Sequence, residues 1–141
     1  MFRNETGPES IGGRLRRPDP LDLASLRTDQ ARRAAMLDRG PEAESLAREA
    51  VAALGEENLA EQGLAWAALA EALALQDRDA ADETFRKAAD LLQEHGHDVD
   101  FTDMCRTWAR YLRRSGRDSE ALDVLDQAAQ VNASSRTRTL S

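Results

Sequence analysis

One cysteine, one tyrosine, one lysine and two tryptophans are all that the 141 residues hold of those types. Cys105 has no second cysteine to pair with, so no internal disulfide holds the fold, and a lone thiol predicts a reducing, cytoplasmic location. Aromatic residues make up 4% of the chain, which leaves few rings to stack on bases. The net charge of −7 has the wrong sign for a protein drawn to phosphates by its overall field, so no direct nucleic-acid binding is expected. No run of 18 apolar residues occurs, so no membrane-spanning helix is expected. The stretch after Met1 is polar and rich in Gly, Pro and Arg, which predicts no secretory leader. Catalytic patterns are missing too. There is no Gly-rich loop between a strand and a helix, and no Ser/His/Asp set in a supporting motif. Carboxylates are so numerous that no pair stands out for acid–base work. The chain is therefore expected not to be an enzyme and to need no cofactor.

What the chain does hold is alanine, leucine and charge in helical rhythm. Residues 1–21 contain Gly7-Pro8, Gly12-Gly13 and Pro18-Asp19-Pro20 and few apolar side chains, and are expected to be disordered. Residues 22–131 read as six helices joined by short turns, the first capped by Asp22. Gly40-Pro41, Gly55, Asp77-Arg78-Asp79, His95-Gly96 and Gly116 mark the breaks. Residues 132–141 are Ser, Thr and Arg, and are expected to fray.

Three of these helices carry one pattern: Ala43, Ala47, Ala50; then Ala81, Phe85, Ala88; then Ala121, Leu125, Ala128. The leading alanines lie 38 and then 40 residues apart. Self-similarity at such a period points to an all-α array of stacked helix pairs, since one pair alone cannot bury its apolar stripe. Small residues let two backbones approach, and large ones fill the space in the neighbouring pair.

The partner helices complete a recognisable set. Cys105, Trp108, Ala109 and Leu112 precede Gly116 and the third triplet; Trp66, Leu69, Ala70 and Leu73 precede the second. This arrangement resembles the tetratricopeptide repeat (TPR), over roughly residues 22–131. The resemblance implies about three antiparallel helix–turn–helix repeats in a right-handed superhelix, and a non-enzymatic scaffold that binds a protein or peptide on its concave face. The 40-residue spacing is also similar to repeats in the sensor halves of bacterial regulators. That likeness implies, as the alternative, an oligomerising or ligand-sensing helical domain of a transcriptional or signalling regulator.

Arg106, Arg110, Arg113 and Arg117 follow one helical stripe, with Arg114 beside it. In the repeat register Arg106 and Arg110 fall on the concave groove and Arg113 extends the line. Glu71 takes the equivalent place on the preceding helix, between Ala67 and Ala74. Tyr111 falls near the edge of the interior face, where its hydroxyl is open to a contact with ligand or backbone. Arginine suits bidentate recognition of carboxylate or phosphate, so an acidic peptide is the expected partner. The competing reading is a solvated face paired with some of the 26 Asp and Glu residues. Trp66 and Trp108 are expected as interior anchors. His95, His97 and Cys105, with Asp98, Asp100 and Asp103 near, are the one group of metal-ligand types, but a single cysteine in a packing position predicts no metal site. Finally, Leu122, Val124, Leu125, Ala128, Ala129 and Val131 spread over more than one face of the last helix. That spread predicts a homodimer through the C-terminal helix.

Overall fold

Asp38, Asp77 and Gly116 share a left-handed backbone, with φ of 60°, 54° and 77°. They lie at a strict 39-residue interval. Each ends a helix in the same way. The N–H of the following arginine returns to a carbonyl five residues back: Arg39 to Ala34 at 2.9 Å, Arg78 to Leu73 at 3.0 Å and Arg117 to Leu112 at 2.8 Å. These bonds satisfy carbonyls that a helix end leaves open.

The alanine spacing of 38 and 40 departs from 39 for a local reason. Ala43 and Ala121 donate to the arginine four residues back, Arg39 at 2.9 Å and Arg117 at 3.1 Å. Ala81 instead donates to Arg78, three residues back, at 3.0 Å. One tighter turn removes one residue, and Ala81 reaches the place that Ala43 and Ala121 hold.

The computed structural model describes residues 19–140, with side chains up to Ser134. The fold is all-α, and no strand occurs among the described residues. The helices are α1 (Pro20–Met36), α2 (Gly40–Leu54), α3 (Leu59–Leu75), α4 (Ala81–His95), α5 (Asp98–Arg114) and α6 (Asp118–Leu140). None is long and apolar enough to cross a membrane.

Each helix packs on the next in sequence. Beyond that, α1 touches α3 and α3 touches α5, whereas α2, α4 and α6 do not touch one another. The odd-numbered helices therefore form a continuous wall, and the even-numbered ones stand apart on the other side. The deepest side chains, Phe85, Phe101, Leu73, Leu92, Leu112 and Cys105, come from α3, α4 and α5. Phe85 stacks on Trp108 with ring centroids 5.7 Å apart and planes 9° from parallel. Nearer the N-terminus the core is built of small residues: Ala24, Ala50 and Ala65 meet Leu54, while Ala34, Ala35, Ala43 and Ala72 form a second group. All three members of each triplet are buried except Leu125, which is half-buried against the core.

Several expectations change. The cap of α1 is Asp19, not Asp22: its carboxylate accepts from the Leu21 N–H at 2.9 Å, and Pro20 opens the helix. The expected disorder of residues 1–21 falls, for 1–18, outside the described residues; Pro20 and Leu21 are helical. The last helix does not stop at Val131 but runs to Leu140. No Gly or Pro interrupts it after Arg117, and Thr102 of α5 ties it down by donating to the Asn132 side chain at 3.2 Å. Trp66 is not an interior anchor. It is half-buried at the edge of the core, with the Lys87 ammonium 4.5 Å from its ring centre. On α6, Val124 and Ala128 are buried within the chain, and Leu125 and Val131 pack against the same core. Only Leu122 and Ala129 of the expected apolar surface face outward.

Candidate functional site

The wall of α1, α3 and α5 encloses a cleft. Arg32 of α1 stands on one side. Leu64, Ala67 and Glu71 of α3 run through the middle, and Asp100, Asp103, Met104 and Thr107 of α5 stand on the other side. Phe85 and Leu92 of α4 reach it from beneath. The helical period puts 64, 67 and 71 on one face of α3, and 100, 103, 104 and 107 on one face of α5. The enclosed volume is about 50 Å³. That is room for a few waters, not for a small-molecule ligand, whose pockets measure about 300–1,000 Å³.

Charge is distributed unevenly along the cleft. Burial raises the pKa of the Glu71 carboxyl, while Arg32 and Arg110 act on it in the opposite direction. Burial also raises that of Glu61, and the nearby charges of Asp29 and Asp100 add to the effect. One end of the wall is thus a carboxyl between two arginines, and the other gathers Asp29, Glu61 and Asp100. A half-buried carboxyl with a raised pKa in a cleft marks a candidate binding position.

The expected site residues divide. Glu71 lies in the cleft. Arg110 is exposed beside it, influences the Glu71 carboxyl, and donates to the Thr107 hydroxyl at 3.2 Å. Arg106 is exposed and paired with Asp103 of its own helix at 3.5 Å. Arg113 is exposed, without an ion pair among the described residues. Tyr111 is buried, its ring 6.2 Å from that of Phe85, with the Arg114 guanidinium 5.8 Å from its centre. It is part of the core around Phe85 and Trp108. Arg117 leaves the stripe, because α5 ends at Arg114. Arg114 donates to the Ala74 carbonyl at 2.9 Å and so closes the end of α3.

The candidate metal and thiol groups do not converge. His95 sits against Glu94 at 3.2 Å, and no three metal-ligating side chains come together among the described residues. Burial pushes the Cys105 thiol up to about 12, far from the thiolate that a nucleophile needs.

A second feature escaped the sequence entirely. Glu44 of α2 accepts from Gln76 at 3.0 Å and from Arg78 at 3.3 Å, both from the turn after α3. Asp82 of α4 accepts from the Trp108 indole at 2.9 Å and also from Arg117 in the turn after α5. Glu44 follows Ala43 and Asp82 follows Ala81, so the two joints between helix pairs are closed by equivalent carboxylates and equivalent arginines. Hydrogen bonding by Gln76 holds Glu44 below the ordinary carboxylate range. Asp82 is partly desolvated, yet Trp108 and Arg117 bring it below that range as well. Gly40 is part of the first joint, since a Cβ there would lie 2.8 Å from Gln76 Cγ. The missed signal was the run Leu37-Asp38-Arg39, Gln76-Asp77-Arg78, Ser115-Gly116-Arg117 at interval 39.

Compared with family models, curated proteins and solved structures, the chain matches none.

Proposed function

We propose that the chain is a three-repeat, TPR-like array with right-handed twist, and that it works as a non-enzymatic scaffold holding an extended protein segment along α1, α3 and α5. What carries the reading is the cleft itself: it draws side chains from three successive odd-numbered helices and is too shallow for a small molecule. An extended segment fits such a surface, because it contacts many positions without needing a deep pocket. The contact of α1 with α3 and of α3 with α5, without equivalent contact on the even side, supports a wall that bends inward along the odd helices.

The charges refine the expected partner. Arg110 and Arg113 are exposed and suit an acidic side chain. Asp100 and Asp103 line the same cleft and suit a basic one. A segment with acidic residues toward Arg110 and basic residues toward Asp100 complements both ends better than a uniformly acidic peptide.

The test is affinity purification from the native host with three baits: wild type, Ala67→Arg in the cleft and Glu83→Arg on α4. A partner retained by wild type and by Glu83→Arg but lost from Ala67→Arg supports the reading. Partners indifferent to Ala67→Arg would refute it.

A further inference from the structure

The joints that close the array inside the chain have open counterparts at its two ends. Internally, the carboxylates Glu44 and Asp82 meet the turn that follows the next odd-numbered helix. On α6 the equivalent residue, after Ala121, is Leu122, and it is 60% exposed. At the other end, the place of Gln76 is held by Leu37, which is 63% exposed. Thus the polar pair Glu44–Gln76 has as its open-ended counterpart two leucines.

The neighbouring positions follow suit. Leu26 is equivalent to Ala65 and Met104, both buried, yet is itself 47% exposed, and among the described residues no helix pair packs on that side of α1. Ala129 on α6 is equivalent to the buried Ala89 and is exposed. The charges are also complementary. Arg39 is the counterpart of Arg78 and Arg117, and among the described residues its one ion pair is with Glu42 of α2, at 3.8 Å. One turn beyond Leu122, Asp126 stands where Arg48 and Arg86 stand on α2 and α4.

We propose that a second copy of this chain continues the array head to tail, its Leu37 on Leu122, its Leu26 along Ala129 and its Arg39 toward Asp126. The step is the one that relates each helix pair to the next inside the chain, so the contact continues an interface already present. It is heterologous, with different surfaces on the two copies, and therefore grows into an open chain instead of stopping at a two-fold dimer.

Sedimentation velocity of the full chain over a concentration series tests this, with Leu37→Glu and Leu122→Arg alone and mixed. Both residues are exposed, and circular dichroism melts verify that the variants fold. The wild-type mass should climb with concentration without a plateau at two copies. Each variant should weaken association about tenfold or more, through like charge against Asp126 or Arg39. An equal mixture should associate again, because the intact tail of one variant meets the intact head of the other. A wild type monomeric at every concentration overturns the proposal. So does a dimer that Leu122→Arg breaks and Leu37→Glu leaves intact.

Discussion

Trp108 and Asp82 are joined by an indole N–H bond of 2.9 Å that crosses from α5 to α4 and fixes the second joint of the array. The same carboxylate also accepts from Arg117, so one side chain organises a core ring, a helix-ending turn and the boundary between two helix pairs. Its removal should cost more than that of its counterpart. Asp82→Ala is expected to destabilise the fold by about 2–3 kcal/mol, since it strands a buried indole donor as well as a charged partner. Glu44→Ala should cost about 1 kcal/mol, because Arg78 and Arg48 are half exposed and water replaces much of what is lost. Denaturant titrations of both variants decide the order.

Glu71 gives a pH test with a definite sign. Its folded pKa is raised, chiefly by burial, so its ionised form is less favourable in the folded chain than in the unfolded one. Its contribution to stability is full below the unfolded value of about 4.3 and is lost as pH rises through the folded value. Glu71→Gln should therefore raise the melting temperature at neutral pH, with the gain vanishing in acid. Glu44 and Asp82 run the other way: their lowered values stabilise the fold above the unfolded pKa, and that stability is lost as pH falls through the folded one. A Glu71→Gln variant that melts lower at neutral pH would show that its arginine neighbours outweigh its burial.

The three left-handed turns are expected to respond oppositely to glycine and alanine. At Gly116, with φ of 77°, alanine should destabilise by about 1 kcal/mol. At Asp77, with φ of 54°, glycine relieves the same conformation and should be neutral or stabilising. Thermal melts of Gly116→Ala and Asp77→Gly check the pair. Equal losses at both would mean that the Asp77 side chain holds its turn in a way glycine cannot replace.

The alanine triplets were legible because a small residue at a close helix approach is visible in the sequence itself. The true interval was not, because the three-residue bond at Ala81 changes the alanine spacing while leaving the turns at 39. The arginine stripe misled for a similar reason. A helical projection carries Arg117 along with Arg106, but α5 ends at Arg114 and the left-handed Gly116 redirects the chain. Arg117 consequently closes a joint instead of continuing the stripe. In the sequence, Asp100 and Asp103 read only as neighbours of the His95, His97 and Cys105 group, because their residue type suggests metal ligation before their place on the helix is known. With α5 starting at Asp98, they are its third and sixth residues, and both line the cleft. Tyr111 reads at the edge of the interior face, one helical position from Leu112, and the structure buries it beside Phe85.

The claim that function resides on the odd-numbered wall is tested most directly by mapping amide shifts in the nuclear magnetic resonance spectrum. The titrant is the partner segment identified by affinity purification. The amides of Arg32, Ala67, Glu71, Thr107 and Arg110 should move together and saturate at one concentration, while those of Glu83, Asp90 and Asp126 stay in place. Shifts confined to α2, α4 and α6, with the cleft amides unmoved, would contradict the account.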